Sequence, residues 1–197
     1  MFAFQTVLGQ KAINKTYPAS LDTRIQIDTD KCYLAEISAY EGEAVIVEAR
    51  MDGEYAEALS INITEEGKTL WIGTAFNPDF VFPNDKLSAH KVVSISLSIR
   101  IPAYRDVQVF GSSCNVMLSG AFNEVDVVLN DGSCTLDQVA RNVKVNTQSG
   151  HIRLNSLQGA VKAISHYGRV LQEEIPQGEK RYDLETVSGD ITLQRTR

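Results

Sequence analysis

The chain has 197 residues, 43% of them hydrophobic, which is enough to bury a core within one domain or two small ones. Its 25 acidic and 19 basic side chains give a formal charge of −6, and this acidic balance argues against a general binder of nucleic-acid backbones.

The three cysteines, Cys32, Cys114 and Cys134, lack the close spacing of a metal site or a redox motif. We expect them to be buried thiols. Residues 1–22 contain no basic flank followed by an apolar run, and no later segment is expected to insert in a membrane. The chain as written is therefore expected to be soluble and not exported. A longer protein from which a leader had been removed would have the same sequence, so the compartment stays open.

The first hundred residues are predicted to form short β-strands. A strand is expected around Phe2, Phe4 and Val7, and residues 9–23 are interpreted as a loop. The acidic residues between positions 36 and 57 are interpreted as a solvated face rather than a metal cluster. Apolar residues that alternate with polar ones predict four further strands, at 25–27, 33–37, 45–49 and 93–101.

A β-hairpin is predicted where residues 59–63 and 70–72 alternate on either side of a turn that contains glycine. Trp71 then points away from Leu70 and Ile72. We interpret Trp71 as covering a second layer, with an exposed binding aromatic as the alternative. Residues 73–91 are predicted to be a long irregular connection.

From Val107 to Leu193 the same kinds of residue return every 18 positions. The columns of this repeat include Val107, Val125, Val143 and Val161; Val116, Cys134, Ile152 and Val170; and Leu118, Leu136, Leu154 and Gln172. After a shift of three positions, across residues 176–181, the pattern resumes with Tyr182, Leu184, Gly189, Ile191 and Leu193. Gly132, Gly150 and Gly168 also align, which predicts corners at which the backbone φ is positive.

A period of 18 residues predicts a solenoid. At about 3.3 Å per residue it makes a path of about 60 Å at most, enough for two or three short strands and their turns, and successive circuits would stack as a parallel ladder. The predicted fold is all-β, a single-stranded parallel β-helix with about 18 residues per coil in the C-terminal half. N-terminal strands would be packed on it or continuous with it. Because no linker-like segment occurs near Pro102, one elongated domain is expected over 1–197, with an N-terminal region at 1–104 and regular repeats at 105–197.

Two segments carry a resemblance to a known family. Thr147-Gln148-Ser149-Gly150-His151-Ile152 and Thr186-Val187-Ser188-Gly189-Asp190-Ile191 resemble the Ser-Gly-Asp-Ile signature of the bacterial putative-adhesin β-helix family, which is largely uncharacterised. The similarity extends more weakly over residues 25–193. It implies a β-helix and a surface role. It transfers no catalytic residues, because the signature is a turn-and-core motif.

Four residues form the candidate exposed binding face. His151, Arg169 and Asp190 share one outward column, and Arg153 lies two residues from His151 on the same predicted face. Carbohydrate-active β-helices place acids and arginines on such faces. A pair of carboxylates at matching height, which general acid/base hydrolysis needs, is missing here, so no catalytic residue is predicted. No cofactor or metal site is predicted either, since the sequence contains none of the common phosphate, hydrolase, zinc or calcium motifs.

The leading hypothesis is a non-catalytic binding or assembly module, adhesin-like, with an unknown protein or glycan as its partner. The alternatives are a glycan-processing enzyme on the same scaffold and an intracellular regulatory protein. The protein is not expected to be an enzyme or to bind nucleic acid.

The final circuit, residues 182–193, is expected to leave an unpaired edge beside Arg195 and Arg197. These charges would either deter stacking or support a homo-oligomer. The second possibility follows from the charge distribution, since residues 1–137 carry 10 bases and 19 acids (net −9) and residues 138–197 carry 9 bases and 6 acids (net +3).

Overall fold

A computed structural model describes residues 11–20, 22–53, 55–80, 94–139 and 141–196. These residues form β-strands and one 3-10 helix, Ala56–Ala58, so the prediction of an all-β protein is confirmed. No helix in these ranges combines the length and apolar character needed to cross a membrane. The strand expected around Phe2, Phe4 and Val7 lies outside the described residues.

The strands of the described residues, numbered in chain order, form two sheets. Sheet A contains β1 (Lys11–Pro18), β3 (Leu34–Tyr40), β4 (Ala44–Asp52), β7 (Ser94–Pro102), β9 (Asn115–Ser119), β11 (Cys134–Asp137), β13 (Ile152–Ser156), β15 (Val170–Gln172) and β17 (Ile191–Arg195). Their spatial order is β1-β4-β7-β3-β9-β11-β13-β17-β15.

Sheet B contains the other eight strands: β2 (Arg24–Asp28), β5 (Leu59–Glu66), β6 (Thr69–Phe76), β8 (Asp106–Gly111), β10 (Glu124–Leu129), β12 (Asn142–Thr147), β14 (Ala160–Ser165) and β16 (Arg181–Thr186). Their spatial order is β14-β16-β12-β10-β8-β2-β6-β5. Each circuit of the C-terminal half contributes one strand to each sheet, and the alternate residues that point between the sheets are buried.

Residues 18 positions apart lie side by side in the middle of the stack. Strand β10 pairs in parallel with β8 and β12, which places Val125 between Val107 and Val143. On the opposite sheet, β11 pairs in parallel with β9 and β13, which places Cys134 between Val116 and Ile152. The stacked side chains of the two sheets together form the hydrophobic core.

The N-terminal region continues the same sheets. Strand β2 pairs in parallel with β8, and β3 pairs in parallel with β9. The predicted hairpin is confirmed as β5 and β6, which pair antiparallel. The prediction of a loop over residues 9–23 is wrong for 11–18, because β1 pairs antiparallel with β4 and packs Ile13 and Tyr17 against the core.

The last circuits of the chain do not stack in sequence order. Strand β16 lies between β12 and β14, and β17 lies between β13 and β15. The circuit of residues 181–195 is therefore interior, and the circuit of residues 160–172 forms the end of the stack. The expectation that residues 182–193 leave an unpaired edge is wrong, although these residues do fall in the predicted columns.

The apolar content of the two circuits explains this order. At inward positions the interior circuit carries Tyr182, Leu184, Ile191 and Leu193, which are all buried. At the matching positions the end circuit carries smaller or polar residues: Val161, Ala163, Val170 and Gln172. Burying the more apolar circuit removes more apolar surface from water. The circuit with less apolar surface therefore lies at the end, where exposure costs the least free energy.

The glycine column serves close packing rather than an unusual φ. The described glycines with positive φ are Gly53, Gly67 and Gly120, so the prediction of positive φ at the repeat corners is wrong. A Cβ built on Gly150 would collide with the carbonyl oxygen of Gly132 and lie 2.7 Å from its carbonyl carbon. A side chain at Gly150 is excluded because the backbone of the neighbouring corner, at Gly132, lies directly against it.

The opposite end of the stack is formed by β1 and β5. Its Lys11 side chain donates hydrogen bonds to the carbonyl oxygens of Glu57 (2.8 Å) and Leu59 (2.9 Å), and Lys15 donates to that of Ile61 (2.7 Å). These carbonyls lie in β5 or just before it, on the edge strand of sheet B. The lysines thus occupy acceptors that another strand would need in order to pair there.

Candidate functional site

The predicted binding face lies at a corner of the stack, where the chain enters sheet A. His151, Asp190 and Arg169 belong to three neighbouring circuits, with Asp190 in the middle. The backbone amide of Asp190 donates to Nδ1 of His151 (3.0 Å). The carboxylate of Asp190 accepts from the backbone amide of Arg169 (2.8 Å) and lies 3.5 Å from its guanidinium. The structure brings these three residues together in an order that differs from the sequence.

Arg153 lies beside this group on the outer surface of sheet A. In the strand register it is flanked by Thr135 on one side and Thr192 on the other. His151, Arg153 and Asp190 line one shallow depression, and Arg169 borders it through its contact with Asp190. We call these four residues the corner face.

The carboxylate of Asp190 is held in its ionised form. The hydrogen bond from the Arg169 amide lowers the pKa of Asp190, and the charge of the Arg169 guanidinium lowers it further. A carboxyl group that acts as a general acid in glycoside cleavage needs the opposite shift. Asp190 therefore offers a carboxylate anion at the corner face rather than a proton.

The cysteines are buried, as predicted. Burial raises the pKa of Cys32 and Cys134 to about 12 and that of Cys114 to about 11, so these thiols stay protonated at neutral pH. Over the part of the chain that the structure describes, no group of three or more His, Cys, Asp or Glu side chains is placed to hold a metal ion.

A second surface lies on the outer face of sheet B, around Trp71. The indole is half-buried and meets the ring of Phe110 edge to face, with centroids 6.2 Å apart and an interplanar angle of 75°. Gly73, two residues further along β6, has no side chain, so the sheet surface is recessed between these rings and Asn62. The result is a groove of about 440 Å³, which we call the Trp71 groove.

Polar side chains surround the aromatic rings of the Trp71 groove. Asp28 lies next to Phe110 in the register of β2 and β8, and a Cβ on Gly73 would approach the Asp28 side chain to 3.3 Å. Asn62 and Thr64 lie opposite Gly73 and Trp71 on β5, and both are exposed. A ligand on the indole could therefore meet a carboxylate, an amide and a hydroxyl at once.

Only part of this groove could be predicted from the sequence. The alternation of Leu70, Trp71 and Ile72 correctly predicts that Trp71 points away from the core. Within the described residues Trp71 is half-buried and packs against Phe110. The contact with Phe110 depends on the parallel pairing of β2 with both β6 and β8, which joins residues far apart in the chain.

The comparisons with known proteins concern the fold. The chain is similar to the solved structure of a putative cell adhesion protein from Clostridium sporogenes ATCC 15579, with a TM-score of 0.68 and 14% sequence identity, over 95% of this chain and 100% of that chain. It also matches a putative adhesin from Parabacteroides merdae ATCC 43184, with a TM-score of 0.46 and 12% identity, over 93% and 81% of the two chains. The comparison with curated proteins finds no match.

A family model extends this result to sequence. The model described as Toastrack DUF4097 matches residues 83–197, which is more than half of the chain and includes every circuit of the C-terminal half. The chain belongs to the Toastrack DUF4097 family.

Proposed function

We propose that the protein is a non-catalytic, adhesin-like module that binds glycans through the Trp71 groove. The observation that carries this proposal is the combination of an outward-facing indole with Asp28, Asn62 and Thr64 on a sheet surface. Sugar rings present an apolar face that stacks on aromatic rings and a rim of hydroxyls that bind carboxylate and amide groups. The similarity to a protein named as a putative cell adhesion protein is consistent with a role in surface binding.

The scaffold of this module is proposed to be one elongated domain over residues 1–197, with a parallel β-helix of about 18 residues per coil in its C-terminal half. The 18-residue offsets between β8, β10 and β12 support the coil length. The pairing of β2 with β8 and of β3 with β9 supports a single unit. A rigid sheet holds the groove residues in fixed positions, so binding would not have to order them first.

The chain contains one tryptophan, so its fluorescence reports directly on the Trp71 groove. When neutral and acidic oligosaccharides are titrated into the protein, we expect at least one to shift or quench the emission of Trp71 with saturation. In an Asn62→Ala variant the dissociation constant for that sugar should rise at least about tenfold, because a hydrogen bond at the rim of the groove is lost.

The control for this titration is Arg153→Ala, which changes the corner face on the other sheet and should leave the affinity unchanged. If no sugar in the panel alters the emission, the proposal of a glycan site at Trp71 is wrong. If calorimetry shows an acidic sugar whose binding is lost in Arg153→Ala but kept in Asn62→Ala, glycan recognition lies at the corner face instead.

A second prediction separates binding from catalysis. Purified protein should leave a panel of acidic and neutral polysaccharides uncut over a day, because the lowered pKa of Asp190 leaves it ionised at neutral pH and unable to donate a proton to a leaving group. Product formation would be followed as the release of reducing ends. Turnover that disappears in Asp190→Asn or Arg153→Ala would favour a glycan-processing enzyme over a binding module.

A further inference from the structure

The two ends of the stack differ in whether side chains occupy the polar backbone groups of their edge strands. At the end formed by β1 and β5, lysine side chains occupy carbonyl oxygens of the edge. At the other end, no described strand pairs with the outer side of β14 or β15. Unpaired edges of this kind bind further strands unless charges, bulges or covering segments prevent it.

The backbone of β14 has amide donors on this edge to which no described strand pairs. The amide of Ala160 donates to Lys180 (2.8 Å) and the amide of His166 donates to Thr186 (3.1 Å), both on the β16 side. Because alternate residues of a strand bond to the same neighbour, the amides of Val161 and Ala163 point away from β16. They are available to another strand.

Apolar side chains accompany these donors. Among the described residues the end circuit exposes Tyr167 (85%), Leu171 (52%), Ile164 (38%) and Val170 (37%). Val170 lies at an inward position, beside the buried Ile191, so its exposure shows that the core itself reaches the surface at this end. A partner that continued both sheets would cover this part of the core as well as the edges.

We propose that this end is a dimer interface, occupied by the same end of a second copy of the chain. A two-fold axis perpendicular to the sheets would pair β14 antiparallel with its copy and β15 with its copy, so that both sheets continue into the partner. Such an interface closes on itself. Head-to-tail stacking would instead require the end formed by β1 and β5, where lysine side chains already occupy carbonyl oxygens of β5.

The charges of the end circuit permit contact between two copies. Residues 160–175 contain Lys162 and Arg169 but also Glu173 and Glu174, so this segment is neutral although the whole chain carries −6. Two copies can therefore meet here without net repulsion. Because the contact would rest on ladder hydrogen bonds and apolar burial, its dissociation constant should change little with salt, unlike a dimer that joins a basic end to an acidic surface.

Replacing Ala163 with proline tests the interface. Proline removes an amide that points to the open edge and keeps the internal ladder, so the monomer should fold. In light scattering over a range of protein concentrations, wild type should dimerise, and Ala163→Pro should raise the dissociation constant at least about tenfold. Ala163→Ser keeps the amide and should behave as wild type. A wild-type protein that stays monomeric at every concentration, or one that forms open-ended chains, would overturn the proposal.

Cysteine cross-linking gives a second test that does not depend on proline. The native thiols are buried and protonated, so a new edge cysteine is the reactive one. Under oxidising conditions at least one of Val161→Cys, Lys162→Cys, Ala163→Cys and Ile164→Cys should form a disulfide-linked dimer, since the strand crosses its copy at the two-fold axis. Thr16→Cys, at the capped end, should not. Cross-linking that is absent at all four positions, or equally efficient at Thr16, would contradict the two-fold arrangement.

Discussion

A Tyr182→Ala variant should lose about 3 to 5 kcal/mol of unfolding free energy. Tyr182 is fully buried in the interior circuit, where its ring fills the space left by the missing side chain of Gly159. Its hydroxyl donates to the carbonyl oxygen of Val139 (3.1 Å) and lies 3.1 Å from Oγ of Ser156. Truncation would leave a large cavity and remove both contacts. Urea denaturation of the two proteins measures the difference.

Two companion variants separate the causes. Tyr182→Phe keeps the ring and should cost about 1 to 2 kcal/mol, because a buried carbonyl loses its donor. Val161→Ala changes the next residue of the same column, which is half-buried in the end circuit, and should cost about 1 kcal/mol. If Val161→Ala proves more damaging than Tyr182→Ala, the circuit of residues 160–172 is interior and the observed order is wrong.

The second large effect is expected at Gly150. Its added Cβ in Gly150→Ala would collide with the backbone of Gly132 on one side of the column. On the other side, the Gly150 carbonyl accepts from Oγ1 of Thr147 (2.7 Å) and of Thr186 (3.3 Å), so the corner cannot shift without breaking bonds to buried hydroxyls. We expect a loss of about 3 kcal/mol in urea melts.

His151→Ala is the matched control, since it alters the adjacent residue on the outside of the same corner. The loss of unfolding free energy should stay within about 1 kcal/mol. The hydrogen bond from the Asp190 amide to His151 is exposed, so a water molecule can replace the imidazole as acceptor. Equal losses in Gly150→Ala and His151→Ala would show that the glycine is not required for close stacking.

The predicted columns were the most informative feature of the sequence. Because side chains alternate between the two faces of a strand, a period of 18 residues fixed which residues point inward, and Tyr182, Leu184, Ile191 and Leu193 occupy those positions as expected. Of the cysteines, only Cys134 lies in one of the apolar columns, between Val116 and Ile152. What the period could not supply was the identity of each neighbour, since every circuit matches every other in the pattern of inward residues.

A signal for the true order was nevertheless present. Gln172 interrupts a column of leucines, and a polar residue at an inward position is least costly at the end of a stack. The corner face illustrates the consequence. Its four residues lie together, but the pairing of Asp190 with both His151 and Arg169 depends on the exchange of the last two circuits.

The exchange of circuits also constrains how the chain can fold as it is made. The circuit of residues 160–172 is synthesised first but has no direct neighbour in the stack until residues 181–195 have docked against β12 and β13. A solenoid that adds one circuit at a time from a finished edge could complete each step with local contacts alone. Here residues 181–195 must dock between the finished edge and residues 160–172, which precede them in the chain. The final two circuits should therefore form together, as a single cooperative unit, only after both have left the ribosome.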